Sequence, residues 1–239
     1  MTERTENPYK LLITAGPTHE PIDAVRYIGN RSSGTLGVAL ADEAAGQGWD
    51  VTLLLGPTNK SPLHAGVRVE RFQTTAELES LLATFFPRCD ALVMAAAVAD
   101  YRPRLTEVDL DGKRRRTGEQ VHLELEPTPD LVGGCAAQRK PGQTLVAFAL
   151  EPRDEMLDSA RRKLDRKGVD VVIANPLETM DASDIEAHAV VADTSPLAPG
   201  RTTNGVIPKT AFAGWLLDVI DELMSETAAN TGPRGAAGA

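Results

Sequence analysis

Five short runs of apolar residues recur along the chain, and each run is bounded by polar or turn-forming residues. The apolar positions within a run are continuous rather than alternating. Continuous apolar runs are typical of strands that are covered on both faces of a parallel sheet. The pattern therefore predicts five buried strands, near residues 11–13, 51–55, 91–98, 145–148 and 169–174.

Between these runs, apolar residues recur at the spacing of a helix face. The stripes are Leu78, Leu81, Leu82 and Phe85; Met156, Leu157, Ala160 and Leu164; and, after Pro208, Phe212, Trp215, Leu216, Val219, Ile220 and Leu223. Another helix is predicted to start near Ser32 or Ser33, either of which is a good N-cap, and to run through Gly34 to about Gly46. Strands that alternate with helices predict an α/β fold with a Rossmann-like parallel sheet flanked by helices.

Three stretches interrupt this alternation. Residues 103–126 are highly charged and contain Asp111-Gly112, which indicates a hairpin or flap. Residues 185–206 read as short strands joined by turns, and residues 227–239 have the composition of a disordered tail. We therefore expect a flexible N-terminus over 1–9, a single domain over 10–226 and a disordered tail over 227–239.

The composition narrows the class of ligand. The chain has 239 residues, with 25 Lys and Arg against 34 Asp and Glu, and its net charge is −9. This acidic excess excludes a general nucleic-acid or membrane-surface binder, which needs a broad basic face. Any anionic ligand must therefore meet a local concentration of positive charge.

The remaining composition favours a cytoplasmic protein. Cys89 and Cys135 lack the spacing of a metal site and read as two reduced thiols. No cationic leader opens the chain, and no apolar run approaches the roughly 20 residues of a membrane helix. We expect no membrane partner and a cytoplasmic location.

The densest candidate chemistry lies between residues 13 and 34. A strand end turns at Gly16, and the polar residues that follow, just ahead of the first predicted helix, are Arg26, Asn30, Arg31, Ser32 and Ser33. Free N–H groups and the helix dipole attract anions to such a position, whereas the alternative is a capped loop with solvated arginines. A contiguous GxGxxG fingerprint and a GKS or GKT P-loop are both missing, which disfavours a dinucleotide or P-loop site.

Two further segments carry candidate residues. The small side chains of Ala96 and Ala97 at a strand end would let a ligand approach the backbone, and Asp100 there either accepts hydrogen bonds from a ribose or base or caps the next loop. Lys163 and Lys167 lie four residues apart, so both could reach one phosphate group. The alternative is a solvated basic face, because Arg162 and Arg166 repeat the same spacing one residue earlier.

Taken together, these segments resemble the phosphopantothenate–cysteine ligases of coenzyme A biosynthesis. The resemblance covers roughly residues 10 to 224. The matching segments are Ile13-Thr-Ala-Gly-Pro-Thr18, Glu20-Pro-Ile-Asp23, Val25-Arg-Tyr-Ile28, Asn30-Arg-Ser-Ser-Gly34, Ala96-Ala-Val-Ala-Asp-Tyr-Arg-Pro103, Pro127-Thr-Pro-Asp-Leu131, Val146-Ala-Phe-Ala-Leu-Glu151, Lys163-Leu-Asp-Arg-Lys167 and Asp170-Val-Val-Ile-Ala-Asn175.

The resemblance implies a two-step ligation. The carboxylate of 4′-phosphopantothenate would attack the α-phosphate of CTP, and the amine of L-cysteine would then displace CMP from the acyl-cytidylate. It also implies Mg²⁺ as the counterion of CTP, no flavin, and a homodimer that forms through a small β region over 185–206. Many relatives fuse this domain behind a flavin-dependent decarboxylase; we expect this chain to be the ligase alone.

The same resemblance implies roles for individual residues. Asn30 and Arg26 correspond to residues that handle the acyl intermediate, and Arg31, Ser32 and Ser33 to residues near the substrate. Lys113 corresponds to the first lysine of a mobile flap over about 103–126. The positions that contact the nucleotide are Gly16, Ala96, Ala97, Asp100, Lys113, Thr128, Pro129, Asp130, Leu131, Phe148, Lys163 and Lys167.

The chain also departs from the family pattern. Arg115 and Arg116 stand where lysines are usual in the flap, which keeps the charge but presents a larger planar group. His19 replaces a common arginine, and Leu150 replaces a common alanine. Two other classes of protein are alternatives: a nicotinamide-dependent oxidoreductase on a similar sheet, disfavoured by the missing glycine fingerprint, and a non-catalytic nucleotide-binding regulator.

Overall fold

The computed structural model describes residues 8–104, 111–113, 115, 118, 120–180 and 182–231. Its strands are β1 (Lys10–Ala15), β2 (His19–Pro21), β3 (Tyr27–Gly29), β4 (Asp50–Leu55), β5 (Arg68–Arg71), β6 (Ala91–Met94), β7 (Tyr101–Pro103), β8 (Leu125–Pro127), β9 (Thr144–Glu151), β10 (Val171–Pro176), β11 (Asp184–Ile185), β12 (His188–Val191), β13 (Arg201–Thr202) and β14 (Ile207–Pro208). Its α-helices are α1 (Thr35–Gly46), α2 (Thr75–Phe85), α3 (Leu131–Gln138), α4 (Met156–Lys167) and α5 (Lys209–Thr231), and 3₁₀ turns lie at Phe86–Arg88 and Leu177–Thr179.

Within these residues, eight strands form the central sheet in the order β13-β12-β10-β9-β6-β1-β4-β5. In this order, the six strands β10, β9, β6, β1, β4 and β5 run parallel to one another. The strands β12 and β13 are antiparallel additions at one edge. The five apolar runs of the sequence are β1, β4, β6, β9 and β10, so the predicted α/β fold with a parallel sheet is confirmed. The run over 91–98 is a strand only as far as Met94.

Helices cover both faces of the sheet, which explains the continuous apolar runs. Alternate side chains of β1 point to opposite layers, with Leu11 and Ile13 in the core beneath α1 and α5 and Leu12 in the core beneath α2, α3 and α4. The final helix begins directly after Pro208, as predicted. In the predicted stripe of α4, Leu157 is half exposed, whereas its neighbour Met156 is buried.

The start of α1 corrects one prediction. Neither Ser32 nor Ser33 is the N-cap, because the cap is Gly34, with φ of 73°, and the helix begins at Thr35. A positive φ is strained for serine but not for glycine, which explains why the chain turns into the helix at Gly34. The Ser33 hydroxyl instead bonds the Thr35 side chain, 2.9 Å away.

The segments that interrupted the alternation form small additions to the sheet. β7 and β8 pair antiparallel at the two ends of the predicted flap, most of which, including Arg116, lies outside the described residues. In the 185–206 region, β11 pairs with β14, while β12 and β13 extend the central sheet. Its apolar side chains Ile185, Ala187 and Ala189 are buried in the core beneath α1 and α5.

The chain ends also bear on the predicted boundaries. Helix α5 continues to Thr231, so it includes five residues of the tail predicted for 227–239, and residues 232–239 lie outside the described part of the chain. The predicted N-terminal segment is described only from residue 8 onward. Over the described residues, we find no helix with both the length and the apolar composition needed to cross a membrane.

Candidate functional site

A cleft of about 520 Å³ lies at the carboxyl edge of the parallel strands. The chain continues from β1 to β4 on one side and returns to β6 on the other, so strand order reverses beside β1. Ligands of open α/β sheets bind at such a reversal. The cleft is lined by the start of α1, the ends of β6, β9 and β10, and residues 128–132 and 163–167.

Glycines let the chain pass closely behind this cleft. Gly16, directly after β1, has φ of 82°. Gly34 has φ of 73°, and a Cβ on Gly37 would lie only 2.4 Å from the Ala15 Cβ. Gly16 and Gly34 therefore allow two turns that a side chain would strain, and Gly37 allows α1 to pack closely against β1.

The start of α1 faces the cleft, as predicted for an anion site. Arg31, Ser32 and Ser33 line the cleft together with Gly34 and Thr35. The N-cap residue Gly34 has no side chain to cap the first turn, and the Ser33 hydroxyl accepts the Thr35 N–H in a long hydrogen bond of 3.4 Å. The positive end of the helix dipole faces the cleft, where it favours a negatively charged ligand.

The segment that follows β6 is fastened to the end of β1. The Ala97 N–H donates to the Gly16 carbonyl at 2.9 Å, and the Ala99 N–H donates to the Thr18 hydroxyl at 3.0 Å. Ala96 and Ala97 line the cleft, and their short side chains leave the backbone accessible. That a ligand approaches the backbone at this strand end stays a prediction.

Asp100 lies at the end of this segment. Its side chain lines the cleft, and within the described part of the chain no hydrogen bond to its carboxylate is found. The backbone carbonyl of Asp100, by contrast, accepts the Thr128 N–H at 2.9 Å. The capping alternative is therefore not what the structure contains, and the carboxylate is available to a ligand.

Residues 128–131 form the opposite wall. The Thr128 hydroxyl donates to the Ala99 carbonyl, and Asp130 caps α3 by accepting the Gly133 N–H at 3.1 Å. Burial alone would raise the pKa of Asp130, but the hydrogen bonds from Lys167 and Gly133 outweigh it and lower that pKa. Asp130 is thus a permanent anion that holds Lys167 in place. Pro129 and Leu131 complete this wall.

Phe148 and Lys163 close the floor of the cleft. The Lys163 ammonium donates to the Phe148 carbonyl, and both residues line the cleft. Burial is the main cause that lowers the pKa of Lys163, and the nearby charge of Lys167 adds to it. A bound anion would favour the charged form of this lysine again. The helix face predicted from Lys163 and Lys167 therefore lines the cleft rather than solvent alone.

Asn30 lies beside the cleft but is not part of its lining. Its side-chain amide donates to the Val98 carbonyl at 3.0 Å, which ties the loop before α1 to the segment after β6. The oxygen of the Asn30 side-chain amide lies opposite the nitrogen that donates this hydrogen bond. Asn30 is therefore anchored to the backbone segment that the cleft uses, as a residue that handles a reactive group should be.

Arg26 lies in the turn of the β2–β3 hairpin, and Lys113 follows a residue that contacts this turn. The buried carboxylate of Asp23 accepts the Val25 and Arg26 N–H groups, both at 2.9 Å, and forms an ion pair with the Arg26 guanidinium. The Ala24 N–H donates to the Gly112 carbonyl at 3.2 Å, which places the residue before Lys113 against this turn. The structure thus brings the Arg26 turn and the Lys113 backbone together, but neither side chain lines the cleft.

Sequence reasoning missed several residues that line the cleft. Arg166 entered only the alternative of a solvated basic face, although it shares the i, i+3, i+4 face of Lys163 and Lys167. Asn175 lies near the end of β10 and Lys209 begins α5, and both line the cleft. Arg166 and Asn175 stand inside segments that match the family, whereas no motif marks Lys209.

The fold and the cleft define an α/β protein with a doubly wound, mainly parallel sheet and an anion-binding cleft at the strand reversal. The chain belongs to the family described as the DNA/pantothenate metabolism flavoprotein C-terminal domain, which matches residues 7–223.

Two curated relatives are similar to this chain. The "Coenzyme A biosynthesis bifunctional protein CoaBC" of Mycobacterium tuberculosis is 40% identical over 187 residues, which cover 75% of this chain and 44% of the relative. A "Cysteine/Cysteine sulfinic acid decarboxylase" from an unknown prokaryotic organism is 41% identical over 178 residues, 74% of this chain and 48% of that protein. The chain thus spans about half the length of the curated relatives it matches.

A solved structure agrees over nearly the whole chain. The crystal structure of the "C-terminal Domain of Coenzyme A biosynthesis bifunctional protein CoaBC" is 28% identical with a TM-score of 0.73, and the match covers 93% of this chain and 98% of that one. The family resemblance inferred from the motifs is therefore confirmed.

Proposed function

We propose that this chain is a phosphopantothenate–cysteine ligase that uses CTP. The observation that carries the proposal is the cleft itself: the N-terminus of α1, the cations of α4 and the free carboxylate of Asp100 surround one space at the strand reversal. A site of this kind suits a nucleoside triphosphate and a second anionic substrate. The name of the Mycobacterium tuberculosis relative, which refers to coenzyme A biosynthesis, supports the same function.

In the first step, a carboxylate oxygen of 4′-phosphopantothenate attacks the α-phosphorus of CTP. The bond to the β-phosphate oxygen breaks, pyrophosphate leaves, and an acyl-cytidylate forms. A free carboxylate is a poor acylating agent, so this leaving group must be installed before an amide can form. The N-terminus of α1 and the ammonium groups of Lys163 and Lys167 stabilise the negative charge that develops on the phosphates. Lys113, on the flap, is proposed to approach the triphosphate during this step.

In the second step, the amine of L-cysteine attacks the acyl carbon, loses a proton, and displaces CMP to leave an amide. The side-chain amide of Asn30 is neutral and can both donate and accept hydrogen bonds, so it can hold the acyl phosphate without repelling it. Arg26 presents a guanidinium that suits a phosphate or carboxylate oxygen. Its ion pair with Asp23 fixes its base in the hairpin turn.

Mg²⁺ fits this cleft as an ion that the triphosphate carries. Within the described residues, no group of three or more His, Cys, Asp or Glu side chains is arranged to hold a metal. Mg²⁺ commonly binds through substrate phosphates, water and one or two carboxylates, and Asp100 is the cleft carboxylate without a protein partner in the described chain. The ion would neutralise phosphate charge. We propose no flavin, a cytoplasmic location, and small molecules as the substrates.

We further propose that the protein is a homodimer, as its family resemblance implies. The segment 185–206 was expected to contribute the contact. Most of its apolar side chains are used inside the chain, and Val206 is its exposed large apolar residue among those described. We therefore expect the dimer surface to lie elsewhere on the molecule.

The proposal is tested by mixing the protein with 4′-phosphopantothenate, L-cysteine, Mg²⁺ and either CTP or ATP. We expect pyrophosphate release that depends on phosphopantothenate and is faster with CTP, together with an amide product that requires cysteine. Nucleotide binding without pyrophosphate release would indicate a non-catalytic regulator. Thermal stabilisation by NAD(P) with no effect of CTP would indicate a nicotinamide-dependent enzyme and would overturn the proposal.

A further inference from the structure

Three cations of α4 line the cleft, and they differ in whether the protein already uses their charge. Lys163, Arg166 and Lys167 are spaced i, i+3, i+4, so they occupy one face of the helix. The Lys167 ammonium forms an ion pair with Asp130, and its side chain is 15% exposed. The Lys163 ammonium donates to the Phe148 carbonyl.

Arg166 is different. It is exposed, it lines the same cleft, and within the described residues it has neither an ion pair nor a hydrogen bond. Its charge nevertheless acts on both cleft neighbours, since it contributes to lowering the pKa of Asp130 and that of Lys163. A guanidinium that lines the cleft and has no acceptor in the described part of the chain is available to a ligand anion.

The neighbouring arginines of α4 provide a comparison on the same helix. Arg161 forms an ion pair with Asp193 at 3.4 Å, on the side of the helix that faces away from the cleft. Arg162 is exposed and does not line the cleft. The four arginines and lysines from 161 to 166 are therefore not one uniform solvated face, because the helix presents only Lys163 and Arg166 of that set to the cleft.

We propose that Arg166 binds a phosphate group of the nucleoside triphosphate. The planar guanidinium has five N–H donors and can engage two oxygens of one phosphate, whereas the ammonium groups of Lys163 and Lys167 already have acceptors in the protein. Arg166 is thus a phosphate-binding residue of the cleft, in addition to those that the family resemblance assigns. This inference rests on the proposed function, because it requires a triphosphate in the cleft.

The test compares Arg166→Gln with Arg162→Gln, which removes the same charge from the same helix outside the cleft. CTP is titrated into each protein by calorimetry without the second substrate, and 4′-phosphopantothenate is titrated separately. A hydrogen bond between charged groups is among the stronger ones in proteins, so we expect CTP to bind about 10- to 100-fold more weakly to Arg166→Gln. We expect Arg162→Gln to bind CTP within about twofold of the wild-type protein, because simple loss of surface charge has little effect.

The outcomes separate the inference from the proposed function. Equal CTP affinity in wild-type protein and Arg166→Gln overturns the inference alone, and so does an equal loss in both glutamine variants. Weaker binding of phosphopantothenate with unchanged binding of CTP overturns it as well, because the phosphate that Arg166 contacts would then belong to the other substrate. Absence of CTP binding to the wild-type protein overturns the proposed function and the inference together. Because Arg166 is exposed and lacks a partner in the described chain, thermal unfolding should be unchanged in the variant.

Discussion

The ammonium of Lys163 lies in the cleft floor, where burial disfavours its charged form. Since burial and Lys167 lower the pKa of Lys163 in the free protein, this side chain loses its proton below the ordinary value of about 10.4. A bound triphosphate favours the protonated form and raises that pKa. CTP affinity should therefore fall as the pH rises through the lowered pKa of Lys163, and binding in that range should take up protons.

Calorimetry at several pH values, in buffers with different heats of ionisation, measures both the affinity and the proton uptake. Lys163→Arg provides the matched control, because a guanidinium stays protonated above about pH 12 and its charge cannot titrate in this range. The pH slope of the variant should be nearly flat, whatever its absolute affinity. An identical slope in both proteins would show that Lys163 does not titrate on binding.

Asn30 gives a second prediction at the level of one side chain. Its amide donates to the Val98 carbonyl at 3.0 Å. In Asn30→Asp, a carboxylate cannot donate this bond and repels the acyl phosphate. We expect amide formation to slow by about 10²-fold, the typical cost of losing one donor at a developing charge. Quenched-flow measurement of pyrophosphate and amide in the same reaction should show pyrophosphate release retained and amide formation lost.

A slowing of both steps by the same factor would mean that Asn30 acts before the intermediate forms. Unchanged turnover would remove the residue from the mechanism. Asn30→Ala is the control, since it removes the same hydrogen bond to the Val98 carbonyl without adding a charge, and it should retain more activity than the aspartate variant.

Individual site residues were predictable to different degrees. Asp100, Lys163 and Lys167 could be found because each lies at a strand end or on a helix face whose position the sequence pattern already indicated. Arg166 lies on the same helix face as the two lysines, but with Arg162 it supported only the alternative of a solvated face, since charge alone does not tell which side of a helix faces a cleft. Lys209 approaches from the far end of the sequence, and only the fold places it there.

At the scale of elements, the contact between α1 and β1 is what brings the helix N-terminus to the cleft. A Cβ on Gly37 would lie 2.4 Å from the Ala15 Cβ, so Gly37→Ala must push the helix away from the strand. We expect a loss of about 1–3 kcal/mol in the free energy of unfolding, the usual cost of overpacking, together with weaker CTP binding. Urea unfolding and calorimetry measure the two effects.

Gly46→Ala is the control on the same helix. A Cβ at this position would have nothing within 4 Å, and Gly46 carries no positive φ. Replacing such a glycine reduces the entropy of the unfolded chain and should stabilise the protein by about 0.4–1 kcal/mol without changing CTP affinity. Equal behaviour of the two variants would contradict the role of close packing at Gly37.

The elements themselves were predicted well where their side chains are buried on both faces. The five strands from β1 to β10 that lie inside the sheet read directly from continuous apolar runs. β5 was missed because it lies at a sheet edge and contains a single apolar residue, Val69, among three charged ones. The predicted start of α1 was wrong because serine is a common N-cap, whereas the φ of 73° at Gly34 favours glycine at this position.

At the scale of the whole molecule, the net charge of −9 is compatible with an anionic ligand because the charged residues are not spread evenly over the protein. Among the described residues, five basic side chains line the cleft against the two acidic ones of Asp100 and Asp130. The five are Arg31, Lys163, Arg166, Lys167 and Lys209. The acidic excess therefore belongs to the rest of the surface, which leaves one cationic cleft open to small anions. Composition could predict the need for such a cleft but not its position.

The proposed homodimer is the last property that depends on the whole molecule. The two β ribbons β2–β3 and β7–β8 contact each other and expose Val25, Tyr27, Tyr101 and Leu125, each about half or more accessible. Exposed apolar residues that are grouped in this way are typical of an interface. Since the 185–206 segment exposes only Val206 among its described large apolar residues, we expect the dimer to bury the ribbons instead.

Leu125→Asp, on the ribbon surface, should therefore shift the protein from twice the chain mass of 25.5 kDa to the monomer in sedimentation experiments at micromolar concentration. A buried, unpaired carboxylate costs several kcal/mol on each side of a two-fold interface, which is enough to dissociate a dimer of ordinary affinity. Val206→Asp introduces the same charge at an equally exposed apolar residue in the 185–206 segment and should leave the dimer intact. The reverse result would place the interface at 185–206, as the family resemblance first implied, and a monomeric wild-type protein would contradict both.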